Sequence, residues 1–254
     1  MSLFILKQVN IVIDQGNTSA KVGVFDRQKM LTSFIFKPLQ IEKIRKILNE
    51  FSISRGILSA VTDVNSEIIN LLSSRLTEFI MLDDNTLLPV QIKYNTPQTL
   101  GKDRVAAIVG AKQLQPGKNV LVIDAGTAIT YDFLDASGCY WGGNISPGMT
   151  ARFKALNQYT KRLPLLDENG DIPQLGYDTE TAIRAGVVHG IVKEIDSYLD
   201  EYKLHHPDIL FFLTGGHSFY FETRLKNSIF ANENLVLNGL NEILNYQTKE
   251  HGKN

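Results

Sequence analysis

The sequence is poor in the features that mark exported or membrane-spanning chains. Its 254 residues include a single cysteine, Cys139, which cannot form a disulfide within the chain and is typical of a reducing compartment. No apolar run approaches the ~18 residues of a transmembrane helix. The apolar residues 3–6, followed by Lys7, are too short for the core of a signal peptide. We therefore expect a cytoplasmic protein with no membrane partner.

The sequence also lacks an excess of charge of one sign. It has 26 Lys and Arg against 27 Asp and Glu, which gives a net charge of -1, and the two signs are interspersed. The longest basic cluster, residues 43–46, is interrupted by Ile44 and is typical of the solvated face of a helix. No basic stripe is present, so nucleic acid is not expected as a partner.

Two common nucleotide-binding motifs are absent as well. Neither G-x-x-x-x-G-K-[ST] nor G-x-G-x-x-G occurs in the sequence, which argues against a P-loop and against a dinucleotide-binding turn.

What the sequence does contain is one pattern that occurs twice. Strands are expected at 9–13, 21–25 and 31–36, and they are followed by helices at 41–51 and 64–76 that alternate with strands at 56–61 and 79–82. Asn65 is a candidate cap for the second helix. After Pro116 the order begins again, with strands in 119–135, 139–145 and 209–213, and helices at 179–202 and 235–246.

The two copies agree in detail. NIVIDQGNTSAKVGVFD, residues 10–26, and NVLVIDAGTAITYDFLD, residues 119–135, each read as a strand, an acidic turn containing glycine, and a second strand ending in an acid. The repeat predicts two halves, 1–114 and 115–254. If the halves face each other, both acidic turns lie at one cleft.

Each acidic turn is suited to an anion. A strand that ends in Asp and turns through Gly presents successive N–H groups, and the missing Cβ lets phosphate oxygens approach. Asp14 and Asp124 would repel phosphate unless a cation stood between them, which implies a bound metal ion. Lys21 adds a positive charge. A single such turn is more often a plain hairpin, and it is the second copy that favours phosphate binding.

Residues 94–111, YNTPQTLGKDRVAAIVGA, form a loop that leads into a buried helix, with Asp103 and Arg104 near the first turn of that helix. Two interpretations are open. Asp103 caps the helix while Arg104 pairs with a nearby acid, or Asp103 accepts a hydroxyl proton while Arg104 holds a substrate carboxylate through two parallel hydrogen bonds.

With these residues in view, the chain resembles the type III pantothenate kinases over essentially its whole length. D-x-G-N-T-x-x-K matches residues 14–21, G-x-D-R matches residues 101–104, and D-x-G-T-A-x-T matches residues 124–130. The resemblance implies an α/β fold of two duplicated actin-like (ribonuclease H-like) domains. Each domain would be a mixed β-sheet flanked by helices, with the active-site cleft between the halves.

The resemblance also implies roles for individual residues. Asp103 is the expected catalytic proton acceptor, and Asp124 is expected to help bind a monovalent cation, K+ or NH4+, while Mg2+ accompanies ATP. Contacts to ATP are expected from Asp14, Gln15, Gly16, Asn17, Thr18, Ser19, Ala20, Lys21 and Thr127. Contacts to pantothenate are expected from Tyr94, Gly101, Lys102, Asp103, Arg104 and Thr179. Thr181 competes with Thr179 for its place in the alignment.

The implied activity is transfer of the γ-phosphoryl group of ATP to pantothenate, the first step of coenzyme A biosynthesis, by a homodimer. Two alternatives remain at this point: a related small-molecule kinase, or a non-enzymatic nucleotide-binding regulator on the same fold.

Overall fold

The computed structural model describes residues 9–251, so the apolar residues 3–6 and Lys7 lie outside the described residues. The chain is an α/β protein that divides into two compact units. Of the described residues, the first unit contains 9–116, Gly138–Tyr140 and 234–251, and the second contains Gly117–Ser137 and Trp141–Glu233. No helix within residues 9–251 has the length and apolar character needed to cross a membrane.

The first unit is built on a five-stranded mixed sheet. Its strands are β1 (Val9–Gln15), β2 (Ala20–Asp26), β3 (Lys29–Phe36), β4 (Ile53–Ala60) and β5 (Glu78–Met81). Their order is β3-β2-β1-β4-β5. β1, β2 and β3 are antiparallel neighbours, whereas β4 runs parallel to β1 and β5 runs parallel to β4.

One face of this sheet packs on α1 (Ile41–Glu50) and α2 (Ser66–Arg75). Ile11, Ile13 and Val22 alternate with residues of the other face and are fully buried against these helices. The predicted cap of α2 is confirmed, because the Asn65 side chain accepts the Glu67 N–H at 2.9 Å.

The other face of the sheet contacts α7 (Leu235–His251), which packs in turn against α3 (Lys102–Leu114). Two buried polar side chains join the sheet to α7. Asn10 Nδ2 donates to Asn241 Oδ1 at 2.8 Å, and Arg55 Nη2 donates to the Leu244 carbonyl at 2.6 Å.

The second unit repeats the plan of the first. Its strands are β7 (Val120–Ala125), β8 (Ala128–Leu134), β9 (Cys139–Pro147), β10 (Leu210–Thr214) and β11 (Phe230–Ala231), in the order β11-β10-β7-β8-β9. The first two residues of β9 belong to the first unit, where they pair in parallel with β6 (Gln91–Ile92).

Three helices complete the second unit: α4 (Met149–Tyr159), α5 (Thr179–His205) and α6 (Ser218–Glu222). Ile183, Val187, Ile191, Ile195 and Leu199 recur along α5 at helical spacing and are buried against the sheet.

The predicted duplication is visible in the topology of each unit. β1–β2 and β7–β8 are antiparallel hairpins, and the first strand of each hairpin pairs in parallel with a later strand, β4 or β10. The expected α/β class with mixed sheets flanked by helices is confirmed.

Candidate active site

The first acidic turn is a tight hairpin with an exposed tip. The Gly16 N–H donates to the Ser19 carbonyl at 3.0 Å, which closes the turn between β1 and β2. Asn17 and Thr18 at the tip are exposed, whereas Ala20 is buried. The turn therefore offers short polar side chains and glycine backbone to a ligand.

Asp14 and Lys21 are brought together by the register of this hairpin. They are directly opposite each other in the antiparallel pair β1–β2, and both are half-buried. Directly opposite residues project from the same face of a sheet. The side chains of Asp14 and Lys21 therefore leave the sheet next to each other, close to the turn.

The Gln15 side chain is used within the protein. Its Nε2 donates to Thr62 Oγ1 at 3.1 Å and to the Asp63 carbonyl at 3.0 Å, while the Val61 N–H donates to the Gln15 carbonyl at 3.0 Å. These bonds fix the end of β1 to the loop that follows β4.

Ser59 is a candidate site residue that the sequence did not reveal. It is the register partner of Asp14 in the parallel pair β1–β4 and is fully buried. Among residues 9–251 its hydroxyl has no hydrogen-bond partner. A lone serine in an apolar strand gives no sequence signal, so only the register places it beside Asp14.

Asp103 lies in the first turn of α3, and its carboxylate folds back to the start of that helix. Asp103 Oδ1 accepts the Arg104 N–H at 2.8 Å. A side chain at Gly101 would collide with it, since a Cβ there would lie 2.5 Å from Asp103 Oδ1. The first turn of a helix is a position in which an acidic side chain stabilises the helix.

Arg104 is 7% exposed, and its guanidinium carbon lies 5.8 Å from the centre of the Tyr94 ring. Tyr94 in turn contacts the buried Tyr140, with their ring centres 6.4 Å apart. Three of the residues predicted for pantothenate, Tyr94, Asp103 and Arg104, are thus neighbours in the first unit. A cation in a desolvated aromatic setting is well suited to holding a carboxylate.

Lys102 is directed elsewhere. Its ammonium group makes an ion pair with Asp84, a residue for which no role was expected. The side chain of Lys102 is therefore paired at the protein surface. A contact from Lys102 next to Gly101 and Asp103 would come from its backbone.

The second acidic turn is enclosed by other backbone segments. The Gly126 N–H donates to the Ala128 carbonyl at 3.0 Å, and Thr127 at the tip is exposed. The Gly148 N–H donates to the Thr127 carbonyl at 3.1 Å. A Cβ at Gly148 would lie 2.3 Å from the Gly126 carbonyl oxygen, so this contact requires glycine.

Asp124 is surrounded by β10 and the segment that follows it. Its register partners are Thr130 in β8 and the buried Thr214 in β10. Gly215 has φ +92°, and a Cβ there would lie 2.4 Å from Asp124 Oδ1. The His217 N–H then donates to the Ala125 carbonyl at 3.0 Å.

The residues present fit an ion that arrives with ATP. Within residues 9–251 no group of three or more His, Cys, Asp and Glu side chains is placed to hold a metal ion. Mg2+ usually takes most of its ligands from phosphates and water and needs only one or two carboxylates. In the first unit, Asp14 beside the first turn is a carboxylate of that kind.

The start of α5 distinguishes the two competing threonines. The Thr181 N–H donates to Asp178 Oδ1 at 2.8 Å, and Thr181 Oγ1 accepts the Asp178 N–H at 3.1 Å, which is a capping box. Thr181 is 4% exposed. Thr179 is exposed in the first turn, so its hydroxyl is accessible to solvent.

A half-buried carboxylate on α5 gathers several hydrogen bonds in the second unit. Glu194 Oε1 accepts hydrogen bonds from Tyr131 Oη at 2.8 Å and from Ser146 Oγ at 2.5 Å. Burial and the neighbouring Glu194 raise the pKa of Tyr131 far above its ordinary value, so Tyr131 remains a neutral donor. Sequence reasoning missed this group because its members lie far apart in the chain.

Comparison with known proteins gives a consistent family. A sequence model described as type III pantothenate kinase matches residues 10–201, which include both acidic turns, the loop with Asp103 and Arg104, and Thr179. The chain is similar to the type III pantothenate kinase of Bacteroides fragilis strain YCH46, at 48% identity over 94% of this chain and 98% of that protein. The type III pantothenate kinase of Phocaeicola vulgatus is 46% identical over 95% of this chain and 100% of its own length.

Among solved structures, a Baf family protein from Campylobacter jejuni has a TM-score of 0.62 at 22% identity, over 94% of this chain and 99% of that one. A likeness at this identity shows a shared fold alone. With the two mixed sheets flanked by helices, the structural relatives are consistent with the expected duplicated actin-like fold.

Proposed function

Because the chain belongs to the type III pantothenate kinase family, we propose how its own residues take part in the reaction of that family. The protein is a pantothenate kinase, which phosphorylates pantothenate to 4'-phosphopantothenate with ATP in the first step of coenzyme A biosynthesis. The match over residues 10–201 carries this conclusion, since that span holds all three motifs. It favours the kinase over the regulator that the sequence alone left open.

The first turn is assigned to the phosphates of ATP. Gly16 and the exposed Asn17 and Thr18 offer N–H, amide and hydroxyl donors, while Ser19 and Ala20 complete the turn. Lys21 stabilises negative charge on the outer phosphates as the phosphoryl group leaves. Gln15 acts indirectly in this assignment, since its amide fixes the turn to the loop after β4.

Asp103 is assigned as the proton acceptor. Its Oδ1 is held by the Arg104 N–H, so the carboxylate has a fixed orientation from which Oδ2 accepts the proton of the primary hydroxyl of pantothenate. Before transfer, the hydrogen bond from the pantothenate hydroxyl to Oδ2 also orients the attacking oxygen.

Arg104 is assigned to the carboxylate of pantothenate. The buried guanidinium beside Tyr94 provides a planar pair of donors in a setting of low polarity, where a bidentate bond to a carboxylate is strong. Gly101 and Lys102 contribute backbone at the same loop. Thr179 contributes a hydroxyl to the same substrate, and the use of Thr181 in the helix cap supports this choice.

Thr127 is assigned to the nucleotide and Asp124 to a monovalent cation, K+ or NH4+, with Mg2+ bound to ATP. Mg2+ supplies charge neutralisation at the phosphates when it is bound. The residues of this chain contribute the exposed Thr127 hydroxyl and the Asp124 carboxylate, which lies beside Thr214 and Gly215. We further propose that the enzyme acts as a homodimer in the cytoplasm.

A coupled assay of ADP release tests the proposal directly. We expect ADP to form at a much higher rate with pantothenate present than without it, and 4'-phosphopantothenate to accumulate in equal amount. Omitting Mg2+, or replacing K+ and NH4+ with Na+, is expected to lower the rate. ADP release that is unaffected by pantothenate contradicts the assignment.

A further inference from the structure

The second unit contains a cavity that is lined by none of the residues assigned to the kinase reaction. It has a volume of about 550 Å³ and lies between the last turns of α5 and the strands β8 and β9. This volume is in the range of small-ligand sites, ~300–1,000 Å³. Tyr198, on its wall, follows Thr179 by 19 positions along α5, or about 28 Å at ~1.5 Å per residue. The cavity is therefore well separated from the pantothenate contact proposed at Thr179.

Four aromatic side chains form much of the wall: Phe133, Trp141, Tyr198 and Tyr202. The ring centres of Phe133 and Tyr202 are 5.3 Å apart, and the His206 ring stacks on Phe133 at 4.8 Å. Trp141 is 55% exposed, an unusual position for a large ring that no part of the fold covers within residues 9–251. Aromatic faces carry negative charge density and attract cations.

Two carboxylates, Asp135 and Glu201, are the charged groups of this wall, and among the described residues that line it there is no Lys or Arg. Asp135 is held in place, because Trp141 Nε1 donates to its Oδ2 at 2.7 Å and the Ser137 N–H donates to its Oδ1 at 2.9 Å. Glu201 is exposed at the rim. The wall thus combines a hydrogen-bonded acid, an exposed acid and four aromatic rings.

The raised pKa of Tyr202 also indicates that the electrostatic potential in the cavity is negative. Burial raises the pKa of Tyr202, and the negative charges of Glu201 and Asp132, together with Tyr198, raise it further. An anionic ligand would be repelled by this field. A neutral apolar ligand would remove water from Asp135 without providing a partner for it, which is costly.

We propose that this cavity binds a small organic cation, with its ammonium group against the aromatic rings and the carboxylates of Asp135 and Glu201. Both a primary amine and a methylated ammonium match this chemistry, because each offers positive charge on a compact apolar body. The site is independent of the phosphoryl transfer, and its existence does not depend on how the kinase residues are assigned.

The single tryptophan of the chain makes this proposal easy to test, because Trp141 is on the wall of the cavity and reports from no other place. The probes are choline and its neutral carbon analogue 3,3-dimethylbutan-1-ol, titrated at constant ionic strength with tryptophan fluorescence as the readout. We expect a saturable change with choline and a response at least tenfold weaker with the neutral analogue.

Glu201→Gln is the main variant, because Glu201 is exposed and its replacement leaves the Trp141–Asp135 hydrogen bond in place. It is expected to weaken choline binding about five- to tenfold. Glu50→Gln, which changes an exposed acid at the end of α1 in the first unit, is the matched control and should bind as the wild type does. Calorimetry on Tyr202→Leu, which removes a ring without touching Trp141, is expected to show a similar loss.

Several outcomes overturn the proposal. These are the lack of a saturable response to choline, an equal response to the neutral analogue, and unchanged affinity in Glu201→Gln. Sedimentation of the same samples measures their oligomeric state, which tests whether a second copy of the chain occupies the cavity. If the protein does not bind choline and Trp141→Ala changes its oligomeric state, this surface is a contact between copies of the chain.

Discussion

The guanidinium of Arg152 lies 2.5 Å from the carboxylate of Glu194, and the same arginine bonds to the residue before Gly148, which contacts the second acidic turn. Arg152 Nε donates to the Pro147 carbonyl at 2.8 Å. Pro147 precedes Gly148, whose N–H is bonded to Thr127. A half-buried ion pair between α4 and α5 therefore holds the segment against which the turn of Thr127 packs.

Replacing Glu194 is expected to destabilise the second unit. Glu194→Gln removes the charge that accepts hydrogen bonds from Arg152, Ser146 and Tyr131, while the amide oxygen can still accept neutral hydrogen bonds. A hydrogen bond to a charged group contributes ~1.5–3 kcal/mol and a neutral one ~0.5–1.5 kcal/mol, so the difference is ~1 kcal/mol for each bond retained. We expect the free energy of unfolding to fall by about 2 kcal/mol at pH 7, measured by urea denaturation. Glu180→Gln, in the first turn of the same helix, weakens an exposed pair with Arg184 and a helix-dipole interaction, and should cost about 1 kcal/mol or less. Equal losses in the two variants would contradict the argument.

The same comparison has a defined pH dependence. Burial raises the pKa of Glu194, but the hydrogen bonds from Ser146, Arg152 and Tyr131 outweigh it, so the net pKa lies below the ordinary value of 4.5. A carboxyl with a lowered pKa in the folded state contributes stability above its unfolded pKa and loses it as the pH falls through the folded value. The difference between wild type and Glu194→Gln should therefore be constant from neutral pH down to about pH 5 and shrink below pH ~4. A difference that is the same at pH 3.5 and pH 7 would show that charge is not its cause.

Gly148 is predicted to tolerate no side chain. In Gly148→Ala the new Cβ would lie 2.3 Å from the Gly126 carbonyl oxygen and 2.5 Å from that of Thr127, so the second turn has to move. Overpacking of this kind costs ~1–3 kcal/mol, and we expect the KM for ATP to rise more than the KM for pantothenate. Gly186→Ala is the control, because Gly186 is exposed in α5 with no atom near its Cβ position. It should raise stability by ~0.5–1 kcal/mol and leave both KM values unchanged.

Much of this architecture is predictable from the sequence, and the exceptions share a physical cause. Both hairpins were predicted because strand alternation and the turn residues are local, and α5 was predicted because its apolar residues recur over many turns. α4 was not, since only Met149 and Phe153 are buried in it and the periodic signal is weak. The positions of Ser59 beside Asp14 and of Glu194 beside Arg152 depend on strand register and helix packing. Such contacts join distant parts of the chain, and the local periodicity of a single sequence does not predict which distant residues meet.

The two threonines at the start of α5 are expected to behave differently. Thr181→Ala breaks the capping box with Asp178 and should lower the free energy of unfolding by ~0.5–2 kcal/mol. Thr179→Ala removes an exposed hydroxyl, so stability should stay within ~0.5 kcal/mol of the wild type while the KM for pantothenate rises about fivefold, as expected for one lost hydrogen bond of ~1 kcal/mol. Thr179→Ser should restore the KM. If Thr181→Ala alone changes the KM for pantothenate, the proposed contact belongs to Thr181.

Asp103→Asn is the sharpest test of the catalytic assignment. The amide keeps the size of the side chain and can still accept the Arg104 N–H through its oxygen, but it cannot take up the hydroxyl proton. We expect kcat to fall by ~10²–10⁴-fold, with ATP affinity, measured by calorimetry, nearly unchanged. The matched control is Glu67→Gln, which removes an acid from the same position in the first turn of α2. Both variants lose a favourable interaction with a helix dipole, worth ~0.3–1 kcal/mol, so a comparable small loss of stability is expected in each. A large loss of kcat in Asp103→Asn alone separates proton transfer from helix stability, whereas wild-type kcat in that variant would leave Asp103 as a helix residue and nothing more.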